Sequence, residues 1–149
     1  MANDAQQKPY KIGYIAGVFD LFHVGHLNLL RRAKERCEYL IVGVLTDDLC
    51  MYFKNKHPVI PHEERREIVQ AIRYVDETVT VTMDNIDKMA AWKLYHFDCL
   101  FSGDDWKDSP SWIADKKKLN EVGSNIEFFT YTNKISSTMI RNKLLETSQ

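Results

Sequence analysis

The sequence predicts an α/β fold, a doubly wound five-stranded parallel sheet with helices on both faces. Segments with strand character alternate with segments of helical periodicity along all 149 residues. The connections between strands are too long for hairpins, which implies parallel strands joined by right-handed crossovers. Residues 39–45 are almost entirely apolar, as is typical of a strand buried on both faces. The length suits one domain, so we expect a loose tail over residues 1–9 and a single domain over residues 10–149.

Apolar spacing and capping residues place the individual elements. The predicted strands cover residues 11–16, 39–45, 78–83, 99–102 and 126–131. The predicted helices cover residues 27–37, 61–72, 84–96 and 111–122, and a last helix opens at residues 136–138. Residues 78–83 alternate polar and β-branched side chains, which favours a position nearer the edge of the sheet. Residues 46–61 are expected to form a long polar connection, and a loop of that length is usually functional or mobile.

The helices have recognisable faces and ends. Leu27, Leu30 and Ala33 give the first helix an apolar stripe. Pro61 suits the first turn of the second helix. Asp84 is placed to cap the third helix, and Gly123 is the residue type expected just after the end of the fourth.

Composition restricts the classes of protein that fit the sequence. The hydrophobic fraction of 44% and the charged fraction of 28% are those of a globular domain rather than of a disordered chain. A formal net charge of −1 argues against a nucleic-acid partner, and no apolar run has the length of a membrane helix. Residues 1–9 lack the apolar core of a signal peptide, and the three cysteines are widely spaced. We therefore expect reduced thiols and a cytoplasmic location, with Cys37 and Cys99 in the core.

The segment GVFDLFHVGH, residues 17–26, lies where the first strand ends and the first helix begins. In an open α/β sheet that junction is where ligands bind, and the unpaired N–H groups of a helix start favour an anion. His23 and His26 are three residues apart and can share one face of the first turn. Gly25 between them lets a bulky anion approach the backbone. The pair is weak as a zinc site, because zinc requires three or four ligands. A phosphate site is the favoured hypothesis, and plain surface histidines are the alternative.

Other polar residues are predicted to gather at the same edge, because the carboxyl ends of parallel strands meet there. Lys54 and Lys56 follow the second strand and could close over a polyphosphate. Asp104 and Asp105 follow the fourth strand and could hold Mg²⁺ together with substrate phosphates. A second helix start at residues 136–138 adds hydroxyl and N–H groups. Together these pieces predict a nucleoside triphosphate site without a Walker sequence.

Each of these residues also has a simpler interpretation. The two lysines could be solvated loop charges, the two aspartates could cap a turn, and the serines could be helix N-caps. Arg73 could pair with Glu77 on the surface. The three tryptophans favour packing over base stacking, with Trp106 the best candidate for an exception, since it follows the fourth strand.

Four segments together give the chain a family resemblance. They are GVFDLFHVGH (17–26), ERREIVQAIRYVDETV (64–79), GDDW (103–106) and ISSTMIR (135–141). The chain resembles the HxGH nucleotidyltransferase superfamily in its cytidylyltransferase branch, and most of all the bacterial glycerol-3-phosphate type. The resemblance covers nearly the whole chain, residues 12–145. It implies a Rossmann-like fold, a CTP-dependent nucleotidyltransferase and a homodimer.

The same resemblance implies roles for individual residues. Those implied in catalysis are His23, His26, Lys56 and Arg73. Those implied at the nucleotide are Val18, Phe19, Asp20, His23, His26, Lys56, Asp105, Thr132, Ile135, Ser136, Ser137 and Thr138. Lys54 and Lys88 would meet the phosphate of the acceptor. Asp20 and Asp105 would lie near Mg²⁺ or the ribose.

Two departures from the family pattern concern the nucleotide. Val18 stands where the family usually has threonine, which removes a hydroxyl and leaves the backbone contact. Residues 131–134, Tyr-Thr-Asn-Lys, stand where the family has Arg-Thr-Glu-Gly, so both the arginine and the glycine are replaced. Lys134 restores a positive charge, although an ammonium does not reproduce the planar fork of a guanidinium.

The activity implied by the resemblance is transfer of CMP from CTP to a small phosphorylated alcohol, with glycerol 3-phosphate favoured. Mg²⁺ would be the cofactor and pyrophosphate the second product. The acceptor phosphate is already anionic, so positioning and charge stabilisation replace a strong general base. Three alternatives stay open: an acceptor of the phosphoethanolamine or phosphocholine type, adenylyl transfer within the same superfamily, and a nucleotide-binding module with reduced activity.

Overall fold

The computed structural model of the protein describes residues 7–130 and 137–147, with side chains for residues 140–146 of the second range. The strands are β1 (Tyr10–Gly17), β2 (Cys37–Leu45), β3 (Glu77–Val81), β4 (Cys99–Gly103) and β5 (Asn125–Phe129). The helices are α1 (Val24–Arg36), α2 (Asp47–Lys54), α3 (His62–Gln70), α4 (Lys88–Tyr95), α5 (Pro110–Glu121) and α6 (Ser137–Thr147), and a 3₁₀ turn spans Asp104–Trp106.

The five strands form one parallel sheet in the order β3-β2-β1-β4-β5, which confirms the predicted fold. β1 is central, and the chain builds outward from it first through β2 and β3, then on its other side through β4 and β5. The strand order therefore reverses beside β1, and ligands of open α/β sheets bind outside the carboxyl ends of the strands at such a point. β3 is an edge strand, as the alternation of its side chains predicts.

Successive residues of each strand face opposite sides of the sheet and build two cores. The core on one side joins the strands to α1 and α3 and includes Ile15, Leu30, Val42, Val69 and Phe101. The core on the other side joins the strands to α4 and α5 and includes Tyr14, Ile41, Ala91, Leu100 and Leu119. Helices thus cover both faces, as predicted, and the polar edge at the strand ends is left open for a site.

The predicted long loop at residues 46–61 is wrong in part, because it contains α2. Thr46 caps this helix, with its hydroxyl oxygen accepting the N–H of Leu49 at 3.2 Å. Leu49 and Cys50 are buried, whereas Tyr52 and Phe53 are exposed. The apolar residues of α2 therefore do not fall on one face, so periodicity alone does not reveal the helix.

The predicted cap at Asp84 is also wrong. α4 begins at Lys88, and Asp87 caps it by accepting the N–H of Ala90 at 3.1 Å. The preceding residues form a turn in which the side-chain oxygen of Asn85 accepts the N–H of Thr82 at 2.8 Å. Competition from this local side-chain bond delays the helix by one turn. Gly123 does have a positive φ of 88° just after α5, which confirms its predicted role.

All three cysteines are buried and free, in agreement with the prediction of reduced thiols and of core positions for Cys37 and Cys99. Burial raises the pKa of the Cys37 thiol to about 11 and that of Cys99 to about 12, so both remain protonated at neutral pH. Among the described residues, no helix has the length and apolar character needed to cross a membrane.

Candidate active site

A cavity of about 390 Å³ opens at the carboxyl end of β1, beside the switch in strand order. Its lining comes from the ends of β1 and β4, the β1–α1 loop, α1, α2, the segment after α2, the 3₁₀ turn and α6. Predicted site residues in this lining are Val18, Phe19, Asp20, His26, Lys54, Lys56 and Asp105. We call this space the nucleotide cavity.

The two histidines form a capping box at the start of α1, in which the side chain of each accepts a backbone N–H. His23 is the N-cap residue, and its Nδ1 accepts the backbone N–H of Gly25 at 3.0 Å. The backbone N–H of His23 in turn donates to Nδ1 of His26 at 3.3 Å. The rings stack with centroids 3.9 Å apart, which confirms that they share one face. Because each Nδ1 accepts a backbone N–H, the proton of each neutral ring is on Nε2. The pair therefore offers two N–H donors in fixed orientations.

Burial keeps both imidazoles neutral. It lowers the pKa of His26 to about 4, with the neighbouring His23 lowering it further and the Asp20 carboxylate opposing the effect. Burial also lowers the pKa of His23. At pH 7 the ligand-free pair consists of neutral donors, and an arriving phosphate would favour their protonation. His26 itself lines the cavity, and His23 packs against it.

Asp20 holds the loop that carries the histidines. Its side chain is only 3% exposed, and its two oxygens accept the backbone N–H of Val59 at 2.7 Å and of Ile60 at 2.9 Å, together with the guanidinium of Arg141. Burial raises the pKa of Asp20, but these donors outweigh burial and leave the pKa below its ordinary value. Its neighbours Phe19 and Leu21 both have a left-handed φ, 54° and 51°, in the sharp turn that sends the carboxylate inward.

Mg²⁺ coordination by Asp20 does not fit this arrangement, because N–H donors and a guanidinium already surround both oxygens. Asp105 is exposed and lines the nucleotide cavity, where a carboxylate fits the usual partnership of Mg²⁺ with substrate phosphates. No cluster of three or more metal-binding side chains occurs within residues 7–130 and 140–146. Mg²⁺ binding stays a prediction for Asp105. The contacts of Asp20 give no support to Mg²⁺ binding there.

Arg65 is a site-building residue that the sequence analysis missed. It is fully buried, at 0% exposure, on α3. Its guanidinium donates from Nη1 to the carbonyl of Val18 at 2.7 Å, from Nε to that of Ile60 at 2.8 Å and from Nη2 to Asp47 at 2.6 Å. It thereby joins the β1–α1 loop to α2 and to the segment after α2. A signal existed, because Arg65 precedes the buried Val69 by four residues and so lies on the apolar face of its helix.

The three predicted lysines divide between two adjoining spaces. Lys56 lines the nucleotide cavity, and Lys54 lines it and a second cavity of about 450 Å³. Lys88 lines the second cavity only, so the structure brings Lys54 and Lys88 together as the resemblance implies. Both cavities include Gly17 and Val18 at the end of β1. We call the second space the acceptor cavity.

Lys88 is held in place by two groups. Its ammonium lies 2.9 Å from a carboxylate oxygen of Asp115 and 3.7 Å from the ring centroid of Trp112. Trp112 stacks with Trp106 at 6.3 Å between centroids, and Trp106 borders both cavities with 53% of its surface exposed. The exposed ring of Trp106 is thus accessible from both cavities, and base stacking by Trp106 stays a prediction.

Arg73 does not reach either cavity. It is exposed after the end of α3, with its guanidinium 5.8 Å from the ring centroid of Tyr74. Nor does it form the surface pair with Glu77, whose carboxylate accepts the hydroxyl of Tyr39 at 2.8 Å. α3 carries the chain away from the open edge, and Arg73 lies after its end, before β3 begins at Glu77. The geometry therefore gives no support to the predicted catalytic role.

Several predicted nucleotide contacts lie outside the described residues. These are Thr132, Ile135 and Ser136, together with the departures at Tyr131 and Lys134. Ser137 and Thr138 contribute their backbone to the first turn of α6, and their side chains lie outside the description. The helix start itself agrees with the predicted last helix.

Comparison with known proteins now decides the family. The family model described as cytidylyltransferase-like matches residues 14–143. This chain belongs to the cytidylyltransferase-like family. The match runs from the middle of β1 through the other four strands, both cavities and most of α6, so the enzyme is a nucleotidyltransferase homologue over nearly its whole described structure.

Individual relatives differ in the acceptor that their names imply. The chain is 31% identical over 134 residues to the glycerol-3-phosphate cytidylyltransferase of Bacillus subtilis, covering 86% of this chain and 92% of the relative. It is 32% identical over 145 residues to an ethanolamine-phosphate cytidylyltransferase of Arabidopsis thaliana, covering 94% of this chain and 33% of the relative. It is 44% identical to the FAD synthase of Thermococcus kodakarensis over 73 residues, which is only 49% of each chain.

A solved structure shares the fold of this chain. A lipopolysaccharide core biosynthesis protein from Thermoplasma volcanium superimposes with a TM-score of 0.68 over 85% of this chain and 99% of its own, at 21% identity. That likeness supports the sheet topology.

Proposed function

We propose that this enzyme transfers CMP from CTP to a small phosphorylated alcohol, with glycerol 3-phosphate as the favoured acceptor. The observation that carries the proposal is the pair of adjoining cavities at the end of β1, each lined by at least one cation. A triphosphate in one cavity and a phosphomonoester in the other would bring their phosphates together beside Lys54. The similarity to the Bacillus subtilis glycerol-3-phosphate cytidylyltransferase covers most of both chains and supports this acceptor.

The chemistry requires no nucleophilic side chain. An oxygen of the acceptor phosphate attacks the α-phosphorus in line, the bond from that phosphorus to the α–β bridging oxygen breaks, and pyrophosphate leaves. Nε2–H of His26 donates to the phosphate chain as negative charge develops, with His23 holding its ring. Lys56 and Lys54 neutralise phosphate oxygens and align the reactants. Mg²⁺ bound to the triphosphate would neutralise further charge, and Asp105, in the lining of the nucleotide cavity, would be the carboxylate that holds it.

The experiment is a pyrophosphate-release assay with purified enzyme. CTP, UTP, dCTP and ATP are each combined with glycerol 3-phosphate, phosphoethanolamine or phosphocholine. Turnover with CTP and glycerol 3-phosphate at the highest kcat/KM supports the proposal. A higher kcat/KM with CTP and a different acceptor would assign that acceptor in place of glycerol 3-phosphate. Absence of pyrophosphate release with every pair would contradict transferase activity.

Adenylyl transfer is the second candidate, because this chain and the Thermococcus kodakarensis FAD synthase are 44% identical over the 73 residues that align.

We expect CTP to remain the preferred nucleotide, with a smaller preference over other pyrimidine triphosphates. Backbone N–H and C=O groups can bind a base whatever the side chain. Lys134→Ala should weaken nucleotide binding, because Lys134 is the cation between residue 131 and Arg141. Preference for ATP, or no effect of this substitution, would overturn our interpretation of residues 131–134.

We also propose that the enzyme acts as a homodimer, as the family resemblance implies. Multi-angle light scattering across a range of protein concentrations measures the mass directly. A monomer mass at the concentration used in the assay would contradict this assignment without affecting the proposed reaction.

A further inference from the structure

One buried carboxylate ties together three separated parts of the chain. Asp20 belongs to the loop after β1. It accepts two backbone N–H groups, from Val59 at 2.7 Å and from Ile60 at 2.9 Å, in the segment that we call the lysine strap, residues 55–61. It also accepts the guanidinium of Arg141 from α6. Val59 of the strap and Arg141 of α6 lie 82 residues apart along the chain and contact the same 3%-exposed side chain.

Both partners of Asp20 border the nucleotide cavity. The strap contributes Lys56 and His57 to its lining, and α6 contributes Arg141. The side chain of Arg141 is 25% exposed, and its Nε is buried without a hydrogen-bond partner among the described residues. Within the part of the chain that the structure describes, the ion pair with Asp20 holds the guanidinium at the cavity wall. α6 begins at Ser137, immediately after the segment in which the family pattern departs at Tyr131 and Lys134.

A shared buried carboxylate makes the two segments interdependent. If α6 moves away, the buried carboxylate of Asp20 loses its guanidinium partner, and separating a buried ion pair is costly. If the strap moves away, Arg141 faces a carboxylate that water can reach, which weakens the ion pair. The arrangement with both segments in place is therefore favoured over either one alone.

We propose that Arg141 is a positioning residue that couples α6 to the lysine strap through Asp20. A nucleotide that orders α6 then also orders the strap, so Lys56 is in place when α6 has engaged its ligand. The part of this inference that concerns nucleotide rests on the proposed function, whereas the coupling itself rests on the contacts of Asp20 alone.

Hydrogen–deuterium exchange on the ligand-free protein tests the coupling without any assumption about the reaction. The variants are Arg141→Gln, Arg141→Lys and the control Lys143→Gln, which changes a side chain on the same helix that is 78% exposed. We expect Arg141→Gln to raise exchange at least about threefold in peptides covering residues 55–61 as well as in α6, with a smaller rise in Arg141→Lys. Unchanged exchange in β1 and β4 peptides verifies the fold. A rise confined to α6 would overturn the coupling.

Kinetics then separate positioning from direct contact. Arg141→Gln should raise the KM for CTP about tenfold while kcat and the KM for the acceptor change less than about threefold. In a cycle with Asp20→Asn, the double variant should be no worse than the poorer single variant, because both remove one shared link. Additive losses would show that Arg141 acts on the nucleotide directly and would overturn the proposal. If no nucleoside triphosphate is a substrate, the proposed function fails while the exchange result stands by itself.

Discussion

The histidine turn, residues 23–26 at the start of α1, and the lysine strap border the same cavity but are held in opposite ways. In the turn, the side chains themselves are fixed, since both Nδ1 atoms accept backbone N–H groups and the rings stack. In the strap, the backbone is fixed by Asp20 and Arg65, while the side chain of Lys56 is exposed. Donors that act as charge develops in a transition state gain from fixed orientation. Cations that neutralise an arriving substrate can keep their freedom, because the substrate itself orders them.

The largest effect should come from removing the fixed donors. We expect His26→Ala or His23→Ala to lower kcat by roughly 100-fold or more, the scale of a lost transition-state donor. Steady-state turnover at saturating CTP measures this loss. His96→Asn is the matched control, since His96 is exposed in the left-handed cap of α4, a conformation that asparagine tolerates. Near-native turnover in either alanine variant would remove the histidines from the catalytic assignment.

Removing the guanidinium that binds the strap backbone should lower the free energy of unfolding. Arg65→Met leaves the carbonyls of Val18 and Ile60 and the carboxylate of Asp47 without their donor, and we expect a loss of about 2–4 kcal/mol in the free energy of unfolding. Urea denaturation followed by circular dichroism measures it. Arg73→Met, at an exposed arginine just after the same helix, should cost less than about 1 kcal/mol. Equal losses in the two variants would contradict the role given to Arg65.

Titration of His26 should also make the free energy of unfolding depend on pH. The pKa of His26 is lowered to about 4 in the folded protein, so between pH 4 and the ordinary value near 6.5 the unfolded chain binds more protons than the folded one. Stability from this group is therefore present above the ordinary pKa and is lost as pH falls. We expect a loss of about 1–2 kcal/mol between pH 7 and pH 5, which His26→Gln should largely abolish. An unchanged pH dependence in the variant would show that other groups cause it.

The smallest effects on turnover should come from replacing the exposed lysines. Which substrate's KM changes should depend on which cavity the lysine lines. Lys54→Ala should raise the KM for the acceptor more than that for CTP, because the family resemblance assigns Lys54 to the acceptor phosphate and Lys54 borders the acceptor cavity. Lys56→Ala should act mainly on the KM for CTP, because Lys56 lines the nucleotide cavity. Changes of about fivefold are expected for exposed phosphate contacts. Lys117→Ala, at an exposed position of α5, serves as the control. Equal effects on both substrates in both variants would remove this division.

Sequence alone determined the parts of the molecule that depend on local pattern. The alternation of apolar runs and helical stripes predicts the parallel sheet, and the spacing of His23 and His26 predicts their shared face. Both follow from the periods of strand and helix, which are set by the backbone within a few residues. The open edge follows as well, because parallel strands deliver their carboxyl ends to one side.

Tertiary structure decided which partners each charged residue meets. The family resemblance implies a place near Mg²⁺ or the ribose for Asp20. In the structure Asp20 instead binds Val59, Ile60 and Arg141, which are 39, 40 and 121 residues away along the chain. Arg65 and Arg73 are eight residues apart in one segment, yet one is buried at the site and the other is exposed outside it. A long charged side chain is equally compatible with solvent and with a distant carboxylate. The choice depends on which backbone groups the fold leaves buried without a donor, and that is settled only when the segments pack.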